Sequence, residues 1–230
     1  MTPITGAAYC ADQVFENTQT LTDGTHISQP SRSIHVCRDS AGRTRQSRPY
    51  MVSPQSTGSP VIVEIMDPVA GYQYVLDTVN KVAHRMALQA SSAASRANGA
   101  ATTVPGAQPG GGTSSVAPAT GVPPRPQMSS ESLGTKDFDG VLAEGRRTTI
   151  TFAAGSVGND RPITSIAENW FSADLKVTVL SKNSDPRMGE SIQKLTNISR
   201  AEPDPLLFAP PPDYSVVEET GRFTISMPRP

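Results

Sequence analysis

One stretch dictates how the rest of this chain must fold. From Gln89 to Ser132, 33 of 44 residues are Ala, Ser, Gly, Pro or Thr, and none is aromatic, Leu or Ile. So little apolar surface cannot offset the entropy lost on ordering the backbone, so the stretch reads as a flexible tether. Pro109-Gly110-Gly111-Gly112 and Pro123-Pro124-Arg125-Pro126 stiffen it locally without adding a core. Its glycines are not a phosphate loop, since no Gly-Lys-Ser/Thr follows them and no strand precedes them.

The tether divides the chain into residues 1–88, residues 133–221 and a strand-like tail, 222–230, with 89–132 as the insertion. Each flank is roughly 90 residues, and a β fragment of that size buries only a modest fraction of its surface. The two flanks therefore read as halves of one β domain, and two small domains on a leash are the alternative.

Within the flanks the governing signal is alternation of period two with turn punctuation, the mark of antiparallel strands. Val61 to Met66 is a strand, Asp67-Pro68-Val69-Ala70-Gly71 turns, Tyr72 to Leu76 returns, and Val82 to Met86 follows the turn Thr78 to Lys81. Gln13 to Leu21 leads to the turn dipeptide Asp23-Gly24, and Ser33 to Cys37 leads to the turn Asp39 to Gly42. The stretch around Val14 and Phe15 also reads as one short helix, but alternating Thr18, Thr20 and Thr22 favour a strand. Downstream, Thr148 to Phe152, Ile163 to Phe171, Leu175 to Val179, Ile192 to Ile198 and Phe223 to Met227 complete nine or ten strands. Pro203 to Pro212 is too rich in proline for a ladder and is expected to pack irregularly along an edge. The expected fold is all-β, with at most one short helix: a curved antiparallel sheet or half-barrel carrying a long low-complexity insertion.

Charge and hydropathy narrow the partners. Lys plus Arg is 20 against 21 for Asp plus Glu, a net charge of −1, so no polyelectrolyte partner is indicated. No apolar run approaches the ~18 residues of a membrane span. Five arginines, Arg32, Arg38, Arg43, Arg45 and Arg48, face one acid, Asp39, and form a candidate anion patch. The competing reading is cations that keep an edge hairpin from aggregating. No aromatic is interleaved with them, which disfavours nucleic acid.

Cys10 and Cys37 lie on strands that a hairpin through Asp23-Gly24 brings side by side. A cross-strand disulfide is expected in an oxidising compartment, with two separate thiols as the alternative. No charged-then-apolar leader is present, and the expected location is secreted or periplasmic with the leader removed.

Catalytic constellations fail on spacing. His35, Cys37 and Asp39 share a strand face, but neighbours there are about 6.5 to 7 Å apart, too far for a hydrogen-bonded triad. Three histidines and two cysteines show no paired zinc-ligand spacing. Ala154-Gly155-Ser156-Val157-Gly158 resembles a nucleophile elbow, yet Asn159-Asp160-Arg161-Pro162 follows where a helix is required. Ser191-Ile192-Gln193-Lys194 sits in an alternating strand without its companion motifs. The chain is expected to be no enzyme and to need no cofactor or metal.

Three stretches together carry a family resemblance. Asp67 to Asp77, then Trp170 to Lys182, and then Leu195-Thr196-Asn197-Ile198 with Pro205-Leu206-Leu207-Phe208, Pro210-Pro211 and Asp213-Tyr214, resemble secreted bacterial proteins of the lipoprotein-carrier (LolA-like or RseB-like) half-barrel group. Arg38 to Arg45 and Ser184 to Glu190 look like segments of uncharacterised secreted proteins of soil bacteria. The resemblance implies an apolar concavity, and it transfers no site residue by position.

Two functions follow as expectations. In the first, Tyr72, Tyr74, Trp170 and Phe171 line a concave sheet that binds an apolar ligand or a peptide, against the alternative of ordinary core packing. In the second, Phe223, Ile225 and Met227 add to the sheet of another copy and build a homo-oligomer or filament.

Overall fold

The computed structural model describes residues 2–21, 23–49, 61–88 and 125–225. Strands β1 (Tyr9–Thr20), β2 (His26–Ser28), β3 (Arg32–Arg38), β4 (Thr44–Pro49), β5 (Val61–Asp67), β6 (Tyr72–Asp77) and β7 (Val82–Ala87) precede the insertion. After it come β8 (Gln127–Phe138), β9 (Val141–Phe152), β10 (Ile163–Ser172), β11 (Val177–Asp185), β12 (Gly189–Ser199) and β13 (Ser215–Glu218). They form one open curved sheet in the order β13-β7-β6-β5-β4-β3-β1-β12-β11-β10-β9-β8, with β2 paired to β1. All pairings are antiparallel except β13 with β7. Chain connectivity is local on each side except for β13, which crosses to pair with β7, and the seam between the two sides within the sheet is the β1–β12 ladder.

Local chemistry explains the hairpins. Asp67 Oδ1 accepts from the Val69 and Ala70 amides, both at 2.9 Å. Asp77 repeats the device with Val79 at 3.0 Å and Asn80 at 2.9 Å. These side-chain bonds mimic a backbone turn and fix both hairpin registers.

Several elements differ from the sequence reading. β8 begins at Gln127, inside the expected tether, because the ladder to β9 organises a polar strand that has no apolar alternation to reveal it. Residues 89–124 lie outside the described residues. Pro203 to Pro212 contains a 3₁₀ turn, Pro205–Phe208, capped by the Asp204 carboxylate. Phe223 to Ile225 is not a strand, and Met227 lies outside the described residues.

Two cores form on opposite faces. One joins Tyr9, Ala11, Val141, Ala143, Leu175, Val179 and Leu195, with Trp170 and Phe138 packed against them. The other joins Cys37, Val63, Ile65, Leu76 and Ala83 beneath Phe208, which is 1% exposed. Cys10 packs on the second core while its neighbours Tyr9 and Ala11 belong to the first, as strand alternation requires. The β1–β3 pair is thus shared by both.

The sheet curls toward the first core. The Asn197 amide at β12 donates to Asp139 in the β8–β9 turn at 3.1 Å. In a flat sheet those strands would be three spacings apart, about 14 Å. Inside the curl Trp170 lies flat on Gly145, where a Cβ would come within 2.7 Å of the ring. The concavity here is filled by side chains.

Candidate functional site

Beyond the filled part, the same face stays open. Arg38, Thr44 and Met66 share it, since Thr44 pairs with both Arg38 and Met66 across the ladders. They floor a cavity of about 560 Å³ whose walls are Pro68, Gly71 and Leu88 and whose roof is Thr2, Pro3 and Ile4. The roof is held by Gly6 N–H donating to Ser40 O at 2.9 Å and by Lys176 Nζ donating to Thr5 O at 3.0 Å. It rests directly on Gly42: a Cβ there would stand 2.9 Å from Pro3 Cβ and 3.0 Å from Ile4 O, and φ is +86°. Only glycine allows this approach.

The cavity is largely apolar and includes no carboxylate, imidazole or thiol among its lining residues. The charged residue of its floor is Arg38, which is 5% exposed. Arg38 donates to Ala7 O from Nε at 3.0 Å and Nη2 at 2.8 Å, and Nη2 also donates to Leu175 O. Its guanidinium lies 4.9 Å over the Tyr9 ring. Burial pulls its pKa below the usual arginine value, an effect the Tyr9 charge opposes. The group closes the curl and bounds the cavity together.

The expected sites are placed apart. Tyr74 packs in the second core, and Tyr72 lies beside it at 6.4 Å with Arg85 4.6 Å over its ring. Trp170 packs on the first core, and Phe171 is 48% exposed in a polar groove with Glu144, Arg146 and Asn169. The four aromatics therefore do not line one concavity: Trp170 and Phe171, adjacent on β10, point to opposite faces, and Tyr72 and Tyr74 sit far across the sheet from β10. The five arginines are dispersed as well. Arg32 covers Phe15 at 4.8 Å, Arg43 pairs with buried Asp39 at 2.6 Å, and Arg48 pairs with Glu64 at 2.9 Å. Arg45, on the Cys37 face, has its pKa lowered by burial. Arg38, Arg43 and Arg48 spend donors on separate partners, and Arg38 and Arg45 lie on opposite faces, so no single anion patch results.

The disulfide is present, Cys10 to Cys37 with S–S 2.05 Å. His35 Nε2 lies 3.5 Å from Cys37 Sγ, closer than strand spacing suggests because side chains lean along the strand. The carboxylate beside His35 is Asp12 across the ladder, at 2.9 Å from Nδ1, and Asp39 instead caps Arg43. Asn197 Nδ2 donates to Asp12 at 2.9 Å, and this bond, followed by that of His35, holds the Asp12 carboxyl below the ordinary range. Cys10, Cys37 and His35 place their donor atoms within 4.8 Å of one another, but both sulfurs are committed to each other.

The tail meets its own sheet. Phe223 stacks on His84 at 4.3 Å, and His84 Nδ1 lies 2.7 Å from Glu219. No helix among the described residues is long and apolar enough to cross a membrane.

No protein-family model and no curated protein matches the chain. Among solved structures, it is similar to an uncharacterised conserved protein from Thermus thermophilus, with 8% identity, TM-score 0.41, and coverage of 91% of this chain and 90% of that one. It is similar to the Pseudomonas aeruginosa MucA/MucB complex, with 12% identity, TM-score 0.40, and coverage of 91% and 58%. It is also similar to LprF from Mycobacterium bovis, with 12% identity, TM-score 0.30, and coverage of 86% and 90%.

Proposed function

We propose that this chain is an extracytoplasmic, non-enzymatic β protein that holds an apolar ligand, such as an acyl chain, in the cavity beneath Thr2, Pro3 and Ile4. The observation that carries the reading is the cavity itself: about 560 Å³, apolar in most of its lining, and within the volume range of small-molecule sites. The Cys10–Cys37 bond supports an oxidising compartment. The lining includes no carboxylate, imidazole or thiol that would activate its Thr2 and Thr44 hydroxyls, which fits holding a ligand and not transforming one.

Titration with a fluorescent fatty acid tests this. Saturable enhancement, displaced by unlabelled fatty acid, is expected. Met66→Trp fills the floor and should weaken binding about tenfold, equivalent to about 1.4 kcal/mol. Gly42→Ala should also weaken it by lifting the roof, with the sheet signal in circular dichroism unchanged. Absence of saturable binding, or a folded Met66→Trp protein that binds as well as the parent, would overturn the proposal.

A further inference from the structure

We propose that Cys10–Cys37 is a reactive disulfide that undergoes exchange with small aliphatic thiols, with Cys10 as the attacked sulfur and His35 as the catalytic residue. The argument begins with Asp12. A carboxylate and a disulfide sulfur both only accept, so the 2.9 Å and 3.5 Å contacts are hydrogen bonds with a proton on each ring nitrogen of His35, Nδ1 donating to Asp12 and Nε2 to Cys37 Sγ. Asn197 fixes the other oxygen of Asp12. The result is a chain of four side chains ending on one sulfur of the bridge.

The two sulfurs are not equivalent. Cys37 is 3% exposed and sits against His35, while Cys10 is only partly buried. Exchange needs the nucleophile in line with the breaking bond, so attack on Cys10 comes from the side opposite Cys37, the side of β12. There the β1–β12 register is broken between Cys10 and Asp12, and the residue opposite Cys10 is exposed Ser199. Bulges of this kind loosen a ladder locally and occur beside reactive groups. The His35 and Asp12 side chains are 48% and 33% exposed, so the edge of the bridge is reachable.

In the step, the incoming thiol attacks as its thiolate, its proton released to solvent, and its sulfur forms a bond to Cys10 Sγ. The Cys10–Cys37 bond breaks, and its electron pair leaves on Cys37, where the Nε2 proton of His35 stabilises the thiolate or passes to it, His35 regaining that proton from solvent. The incoming sulfur is oxidised and Cys37 is reduced, so electrons balance without another reactant. A stabilised leaving thiolate speeds exchange.

The test treats the oxidised full-length chain with glutathione, quenches with acid and maps the mixed disulfide by mass spectrometry. Glutathione on Cys10 is expected. His35→Gln should slow adduct formation about tenfold, the size of effect common for a positioned general acid, because an amide donates a hydrogen bond but no proton. Asp12→Asn should slow it as well, with partial recovery in Asp12→Glu, while the thermal midpoint of each oxidised variant serves as the folding control. Adduct on Cys37, no adduct on the folded chain, or parent rates in folded His35→Gln would each overturn the proposal. If His35→Gln does not fold, the adduct position in the parent and the Asp12 pair still decide.

Discussion

At the scale of single residues, the carboxylates show how much work this small sheet asks of its turns. Asp185, 8% exposed, accepts from Arg187 at 3.0 and 2.7 Å and from Ser165 at 2.5 Å, and Arg187 first of all drives its pKa far down. A carboxyl depressed in the folded state contributes stability above its unfolded pKa, near 3.9, and loses it as pH falls toward the folded value. The parent should therefore lose thermal stability as pH drops from about 5 to 2, and Asp185→Asn should lose less over that window. Thermal melts across the range check this, and identical slopes would remove Asp185 from the account. Sequence showed that Asp185-Pro186 is a turn, but not that Ser165, twenty positions away, would meet it across a ladder.

At the scale of elements, legibility follows apolar alternation. β5, β6 and β7 were readable because alternating apolar residues and Asp-initiated turns coincide there. β8 was not, since a polar edge strand is ordered by its partner and leaves no periodic trace in its own residues. β13 was missed for a related reason: a parallel contact with β7 comes after a proline-rich crossing. That crossing carries the element whose weight was least visible, the turn ending in Phe208. It contacts β4 and β5, and Arg43 covers its ring at 5.2 Å. Phe208→Ala should cost about 3 to 5 kcal/mol, the usual range for a buried aromatic truncated to alanine. Denaturant unfolding measures this, and a loss below about 1 kcal/mol would mean the second core closes without its plug.

At the scale of the whole molecule, the all-β class was legible and the site was not. Aromatic residues mark where apolar mass lies, but which face is covered depends on pieces far away in sequence. Thr2 to Ile4 roofs one face, Phe208 fills the other, and Phe223 settles on His84. Thr2 to Ile4 and Phe208 have no periodic signature, and the alternation from Phe223 onward points to a strand that residues 223–225 do not form. The seam between β1 and β12 has its own consequence, because the only described cross-link, Cys10 to Cys37, lies wholly on one side of it. Residues 1–88 and 125–230, made as separate polypeptides and mixed, should assemble and co-elute as one particle with the parent's sheet spectrum; halves that never associate would show that the join is needed. Covalent continuity between the halves would then be a convenience of synthesis, and severing it would leave a two-chain protein of the same shape.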